Sequence, residues 1–350
     1  MPGTRDLHGH AWVVETFGGP DTMRWTATVT PAPAPGHARV RVLAAGVGFT
    51  DLMARQGDYL LQRKAPFTPG YELVAEVVDY APSAGDDPRD TAALAPGTLV
   101  AAALPKMAAY AEYLNLPAWQ LVPLPEGLDP VVAAAVPLDH LTAVSLLETH
   151  ARVRRGDTLL IQGASGGVGR AVARLGQLAG LRMYGTASAP GAAEQLARYG
   201  VTPVDYRTQD FEKVVSAAEP GGVQAVFDHI GGANLGKGYR LLAPGGTLVS
   251  YAFTGRPGRM MRDTAVGAAR VKLMNLRPGR RTALCMVPNE LKADHSWYRD
   301  ALTRLLALTR DGSLRPAIAA TRPLREAADV HQALERREFT GKVVLTTAGH

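Results

Sequence analysis

The sequence predicts an α/β protein: a doubly wound parallel sheet with helices on both faces, joined to a β-rich domain. Three observations predict it. Strand and helix patterns alternate from residue 158 onward, which implies parallel strands linked by crossover helices. Roughly the first 125 residues instead form short β-rich segments punctuated by proline and glycine. A glycine-rich turn joins the apolar strand at 158 to a helix.

In chain order, the β-rich segments are residues 12–15, 38–45, 72–79, 98–103 and 110–115. The proline-rich run 31–35 and the polar run 82–90 read as loops. From Pro130 apolar residues take helical spacing, over 131–138 and 142–151. Strands are expected at 158–162, 182–186, 203–205, 225–228, 247–250 and 283–287, with helices beginning near Gly167, Ala192, Phe211 and Asn234. A helix at 297–309, a strand at 317–320, a helix at 324–334 and a strand at 342–346 close the chain, and this tail is expected to return to the first domain. The expected domains are 1–128 with 290–350, and 129–289. Segments 56–67 and 253–281 are expected as pocket-shaping loops.

At 350 residues the chain suits about two domains and can bury about three quarters of its unfolded surface, so no disulfide or structural metal is required. Hydrophobic residues make up 46% and charged residues 20%, which excludes disorder, collagen and coiled coil. The longest apolar run, 131–136, is far short of the roughly 20 residues of a membrane helix. The first residues lack an apolar signal core, and the expected location is the cytoplasm. Cys285 is the single cysteine, which excludes an internal disulfide and any zinc site with two cysteine ligands. Its apolar neighbours mark it as a small core residue. The net charge is +6, and 31 of the 38 basic residues are arginine. No helix-turn-helix, finger or aromatic RNA-binding signature accompanies that charge, so nucleic acid is not an expected partner.

The strongest motif runs Thr158-Leu-Leu-Ile-Gln-Gly-Ala-Ser-Gly-Gly-Val-Gly169. Within it Ala164, Ser165, Gly166, Gly167, Val168 and Gly169 are the phosphate-binding candidates. Small residues allow the tight turn, the approach of backbone to a pyrophosphate, and close helix–strand packing. The free N–H groups and partial positive charge of the helix terminus attract the anion. About 20 positions on, where an NAD-binding fold places a carboxylate for the ribose 2′-hydroxyl, stands Tyr184-Gly-Thr-Ala-Ser188. Ser188 leaves room for a 2′-phosphate, so NADPH is the expected cofactor. Arg198 and Arg207 are candidate cations for that phosphate, and Tyr206 could lie along the adenine.

With these residues in view, the chain resembles a zinc-free medium-chain dehydrogenase/reductase of the quinone oxidoreductase and enoyl reductase type, over about residues 10–346. The resemblance rests on Ala44-Ala-Gly-Val-Gly-Phe-Thr-Asp51-Leu, Arg55-Gln-Gly-Asp-Tyr59 and Pro66-Phe-Thr-Pro-Gly-Tyr-Glu72-Leu-Val. Further along stand Tyr110-Ala-Glu-Tyr113, Pro137-Leu-Asp-His-Leu-Thr142-Ala, Asp205-Tyr-Arg207, Phe227-Asp-His-Ile-Gly-Gly232 and Gly341-Lys-Val-Val-Leu345. It implies a GroES-like catalytic domain built from both chain ends, a Rossmann domain, and a cleft where nicotinamide meets a small-molecule substrate. It also implies a homodimer through the Rossmann sheet edge at 283–287. Thr142 joins the cofactor-binding candidates, as do Ala252 and Phe253, whose backbone would hold the carboxamide.

Zinc-dependent relatives carry cysteine where this chain has Gly48 and histidine where it has Tyr71, and the cysteine-rich lobe is missing. His140, His229 and His331 stand singly and read as surface or capping residues. No metal is expected. Zinc-free relatives commonly have asparagine at the Gly48 position and often at Asp139, so Asp139 brings a carboxylate near the cleft and is a catalytic candidate with Tyr59 and Tyr71. Without a metal electrophile, a quinone or an α,β-unsaturated carbonyl suits the site, since its conjugation carries the incoming charge to oxygen. The proton would come from Tyr59, Tyr71 or solvent. Two other readings stay open: a redox-neutral cyclase or dehydratase, prompted by Gly48 and Asp139, and a cofactor-binding interaction protein. The latter draws on the basic stretch 256–281, where Arg256, Arg259, Arg262, Arg270, Lys272, Arg277, Arg280 and Arg281 face one acidic residue, Asp263, and suit an acidic partner.

Overall fold

The structure, a computed structural model, describes residues 5–84, 92–189, 191–254 and 259–347. Arg256 and most of the expected loop 82–90 lie outside the described residues. The chain divides into two compact units, Met1–Leu138 with Pro288–His350, and Asp139–Val287.

The first unit begins with strands β1 (Leu7–Val14), β2 (Met23–Thr30) and β3 (His37–Val47), helix α1 (Phe49–Gln56), then β4 (Glu72–Ala81), β5 (Leu99–Ala103), β6 (Tyr113–Pro117) and β7 (Val122–Pro123). Helices α2 (Pro130–Ala134) and α3 (Pro137–Val144) follow, and α3 continues as a π-helical turn at Ser145–His150. In the second unit β8 (Thr158–Ile161), α4 (Gly167–Leu178), β9 (Arg182–Ala187), α5 (Ala192–Ala197), β10 (Val201–Asp205) and α6 (Phe211–Ala218) come first. They are followed by β11 (Val223–Asp228), α7 (Ala233–Arg240), β12 (Leu242–Ser250), α8 (Met260–Met274) and β13 (Arg281–Leu284). Helices α9 (Val287–Ala293) and α10 (His295–Arg310), strand β14 (Ile318–Pro323), helix α11 (Ala327–Glu335) and strand β15 (Lys342–Thr346) end the chain.

In the first unit a seven-stranded sheet runs β14-β15-β3-β4-β5-β7, with β6 also on β3, beside the β1–β2 hairpin. The tail returns to the first segment: Val343 pairs with Val47 and Leu345 with Ala45. Alternate residues of β3 and β4, among them Val40, Val42, Leu73 and Val77, enter one core with Trp12, Tyr71, Tyr110 and Leu345.

The second unit is a six-stranded parallel sheet of order β10-β9-β8-β11-β12-β13. Every residue of β8 is buried, as a central parallel strand with both faces covered requires. Order reverses between β8 and β11, and that switch point opens a crevice beyond the strand ends. Asp210 caps α6 by accepting from the Glu212 amide.

Segment 253–281 departs from expectation. It is not a loop, because α8 occupies Met260–Met274. The edge strand is Arg281–Leu284 rather than 283–287, and α9 begins at Val287. Strand β2 and helix α1 form without having been expected; α1 ends at Gly57, which takes the left-handed φ of 81°.

Candidate active site

The turn after β8 is built around backbone. Gly166 is the N-cap of α4, and as a glycine it makes no side-chain hydrogen bond to the first-turn amides. A Cβ at Gly169 would lie 2.5 Å from the Gly163 oxygen and 2.7 Å from the Ala164 Cα, so helix and turn meet only with glycine there. Ala164 is buried, its amide bonded to the Thr186 carbonyl, while the Gly163 amide bonds the Thr186 hydroxyl. Thus β8 and β9 jointly fix the turn carrying Ser165, Gly166, Gly167 and Val168.

Ser188 follows the end of β9, with no carboxylate at that strand end. Beyond β10, Asp205 accepts from the Arg207 amide and folds a turn that leaves the Tyr206 ring 56% exposed and Arg207 exposed. Ser188, Tyr206 and Arg207 therefore stand just beyond the ends of the neighbouring strands β9 and β10. Arg198 is the C-cap of α5, its amide bonded to the Glu194 carbonyl.

Asp139 packs on the glycine-rich turn. A Cβ at Gly167 would lie 2.4 Å from its Oδ2, so the carboxylate sits against the first residue of α4. Thr142, one turn further along α3, is buried. Ala252 follows β12, and the Phe253 ring is buried between Gly231 and Gly267, where a Cβ would meet it at 2.9 and 2.3 Å. Helix α8, resting on that ring, walls a cavity of about 480 Å³ lined in part by Ile230, Thr254, Val266 and Arg270. The single histidines are not surface residues. His140 and His331 are buried, and His229 is half-buried with its Nδ1 3.1 Å from the Gln162 oxygen and 3.2 Å from the Tyr251 hydroxyl.

Tyr59 and Tyr71 belong to the first unit, their rings edge-to-face at 6.0 Å. Burial pushes the Tyr59 phenol up to about 12 and that of Tyr71 higher still. The hydrogen bond between them favours ionisation of Tyr59 and opposes that of Tyr71, so Tyr59 holds the more releasable proton. Beneath them Asp51, 1% exposed, accepts from the amides of Gly48 (2.8 Å) and Gly70 (2.9 Å) and from the Tyr110 hydroxyl (3.4 Å). Burial pushes its carboxyl up to about 6 against those donors. Glu72 accepts from the Leu138 amide and pairs with Lys342. The Thr50 hydroxyl, close to Gly48, is buried without a hydrogen-bond partner among the described residues.

Comparison with known proteins identifies the family. Residues 34–126 match a family model described as alcohol dehydrogenase GroES-like domain, and residues 200–345 one described as zinc-binding dehydrogenase. The chain is 32% identical over 343 residues to the synaptic vesicle membrane protein VAT-1 homolog of Mus musculus, covering 95% of this chain and 82% of that one. It is 31% identical over 344 residues to the 2-haloacrylate reductase of a Burkholderia species, covering 96% and 98%. The chain belongs to the medium-chain dehydrogenase/reductase family, in its quinone oxidoreductase and enoyl reductase-like branch. A solved mycobacterial quinone oxidoreductase shares the fold with a TM-score of 0.79 at 28% identity, over 97% of this chain and 99% of that one. Another mycobacterial structure, complexed with NADPH, gives 0.79 at 27% over the same shares.

In this medium-chain oxidoreductase, several site residues stand inside the sequence motifs and gain a role only from their contacts. Asp51 and Glu72 lie in the threonine-aspartate and tyrosine-glutamate motifs, and Lys342 in the closing glycine-lysine motif. Their function is to hold Gly48, Gly70 and Leu138 in place. A sequence shows such residues only as charges inside apolar strands, which is a signal of burial with a partner. The His229–Tyr251 contact joins residues 22 positions apart and has no local signature.

Proposed function

We propose that this chain is an NADPH-dependent, metal-independent reductase of a quinone or an α,β-unsaturated carbonyl. The observation that carries the reading is the glycine-capped Gly166–Gly169 turn at the switch point, beside a β9 end that offers Ser188 and no carboxylate. The NADPH complex of the mycobacterial relative supports it. NADPH, when bound, supplies the hydride. Ala164 to Gly169 would hold the pyrophosphate, Ser188, Tyr206 and Arg207 the phosphorylated ribose and adenine, and Thr142 and the Ala252–Phe253 backbone the nicotinamide half. Tyr59, positioned by Tyr71, donates the proton. Asp51 keeps the Gly48 and Gly70 backbone fixed around that pair.

The residues at the positions of the relatives' zinc ligands do not fit a catalytic zinc. Gly48 has no ligand atom, and Tyr71 stands where a histidine would bind. The zinc-binding dehydrogenase match begins at residue 200 and includes neither position. Substrates that need no metal electrophile follow, and a 2-haloacrylate, the substrate in the Burkholderia relative's name, is an activated alkene of that class. We further propose a homodimer through the open edge of β13, where α8 and the residues after it expose Val266, Leu273 and Leu276. Sedimentation velocity that finds only monomer removes that part. Two of the basic residues of this stretch are engaged within the unit, Arg270 with the Gly232 carbonyl and Arg280 over the Tyr239 ring, which weakens the reading as an acidic-partner surface.

The decisive experiment is NADPH oxidation with a panel of quinones, enones and 2-haloacrylates. Turnover of at least one class is expected. Binding of NADPH without turnover of any, or product formation with no change in nicotinamide absorbance, would favour the redox-neutral alternative.

A further inference from the structure

Three groups of the second unit meet beyond the C-terminal ends of adjacent strands β8, β11 and β12, at the switch point itself: the Gln162 carbonyl, the His229 imidazole and the Tyr251 hydroxyl. A carbonyl oxygen only accepts, so the His229 Nδ1 at 3.1 Å carries the proton and donates to it. The neutral ring then presents Nε2 as an acceptor, and Nε2 has no hydrogen-bond partner among the described residues. Burial holds the imidazole below its usual range and keeps it neutral. Since Nδ1 is a donor, the Tyr251 hydroxyl at 3.2 Å can only accept from it, and its own proton stays uncommitted. Burial, with Asp228 and Asp139 nearby, pushes that phenol well above its ordinary value, so the proton remains in place.

The ring is seated by Gly163. Its φ is +66°, and a Cβ there would lie 2.0 Å from the His229 Cε1. Only glycine allows the imidazole to lie over the start of the phosphate turn. One fixed neutral acceptor and one fixed neutral donor thus stand side by side.

We propose that His229 and Tyr251 recognise the nicotinamide carboxamide, its amide nitrogen donating to Nε2 of His229 and its oxygen accepting from the Tyr251 hydroxyl. A primary amide offers that donor and acceptor on adjacent atoms. Adenine carries a similar pair, but the adenosine half belongs to the β9 side, where Ser188 stands, whereas β11 and β12 lie across the switch. The assignment rests on reading this unit as an NADPH site and adds side-chain recognition to the backbone at Ala252 and Phe253.

The test measures dissociation constants of the full chain for NADP⁺ and for 3-acetylpyridine adenine dinucleotide phosphate, whose methyl ketone keeps the oxygen and lacks the NH₂. Wild type should prefer NADP⁺ by about tenfold, the worth of one well-made hydrogen bond. His229→Leu should weaken NADP⁺ by about that factor and leave the analogue unchanged, which also shows that the variant is folded. His229→Gln, which offers an amide oxygen as acceptor, should recover part of the preference. Tyr251→Phe should weaken both ligands alike. If wild type does not distinguish the two dinucleotides, or His229→Leu weakens both equally, the carboxamide assignment is overturned while the NADPH reading stands. If wild type binds neither, both fall.

Discussion

Asp139 illustrates how one side chain changes meaning once its neighbours are known. Its carboxylate rests on Gly167, at the helix terminus that attracts anions, and so adds negative charge where a pyrophosphate would bind. Asp139→Asn should therefore tighten NADPH binding about two- to fivefold, as helix-terminus charges of this kind contribute 0.3–1 kcal/mol. Fluorescence titration checks it, and weaker binding would show that the carboxylate helps to hold the cofactor. Of the Tyr59–Tyr71 pair, Tyr59 is the phenol whose proton is more easily released. Tyr59→Phe should lower kcat about 10²-fold, the lower end of general-acid effects, while the NADPH dissociation constant stays unchanged. An equal loss in both quantities would assign Tyr59 to binding instead.

Among the elements, α8 is the longest that sequence periodicity did not reveal. Its apolar residues do not gather on one face: Gly267, Val271 and Met274 are buried, whereas Val266 and Leu273 are exposed. The helix is held by the Phe253 ring, which enters a recess made by the missing side chains of Gly231 and Gly267. Gly267→Val would force ring and helix apart. It should destabilise by about 1–3 kcal/mol, the usual cost of overpacking, and lower the melting temperature by several degrees. An unchanged melting temperature would mean that α8 is not anchored through this contact. By contrast β8 and α4 were legible, because a buried central strand and a small-residue turn leave local marks.

For the whole molecule, burial of unlike titrating groups sets the pH response. Burial pushes Asp228 up to about 6 although the Gly231 amide donates to it, and Asp51 reaches about 6 as well. A raised carboxyl contributes stability that is present below the unfolded value near 4 and is lost as pH rises through 6. His331 acts oppositely. Burial and the neighbouring Arg55 push it down to about 3, so its contribution is lost as pH falls from about 6.5 toward 3. Asp228→Asn removes one of the two carboxyl contributions. Relative to wild type, its melting temperature should rise between pH 4 and 6 and run parallel above pH 7. A constant difference across that range would show that Asp228 titrates normally.

The residues adjacent in the chain decided the glycine-rich turn and the missing carboxylate after β9, because turns and strand ends depend on side chains a few positions apart. Tertiary structure alone decided that Asp139 lies on Gly167, that Asp51 ties Gly48 to Gly70, and that His229 meets Tyr251 over Gly163. These contacts join segments brought together by sheet order and burial, and no periodicity or motif encodes which strand ends become neighbours.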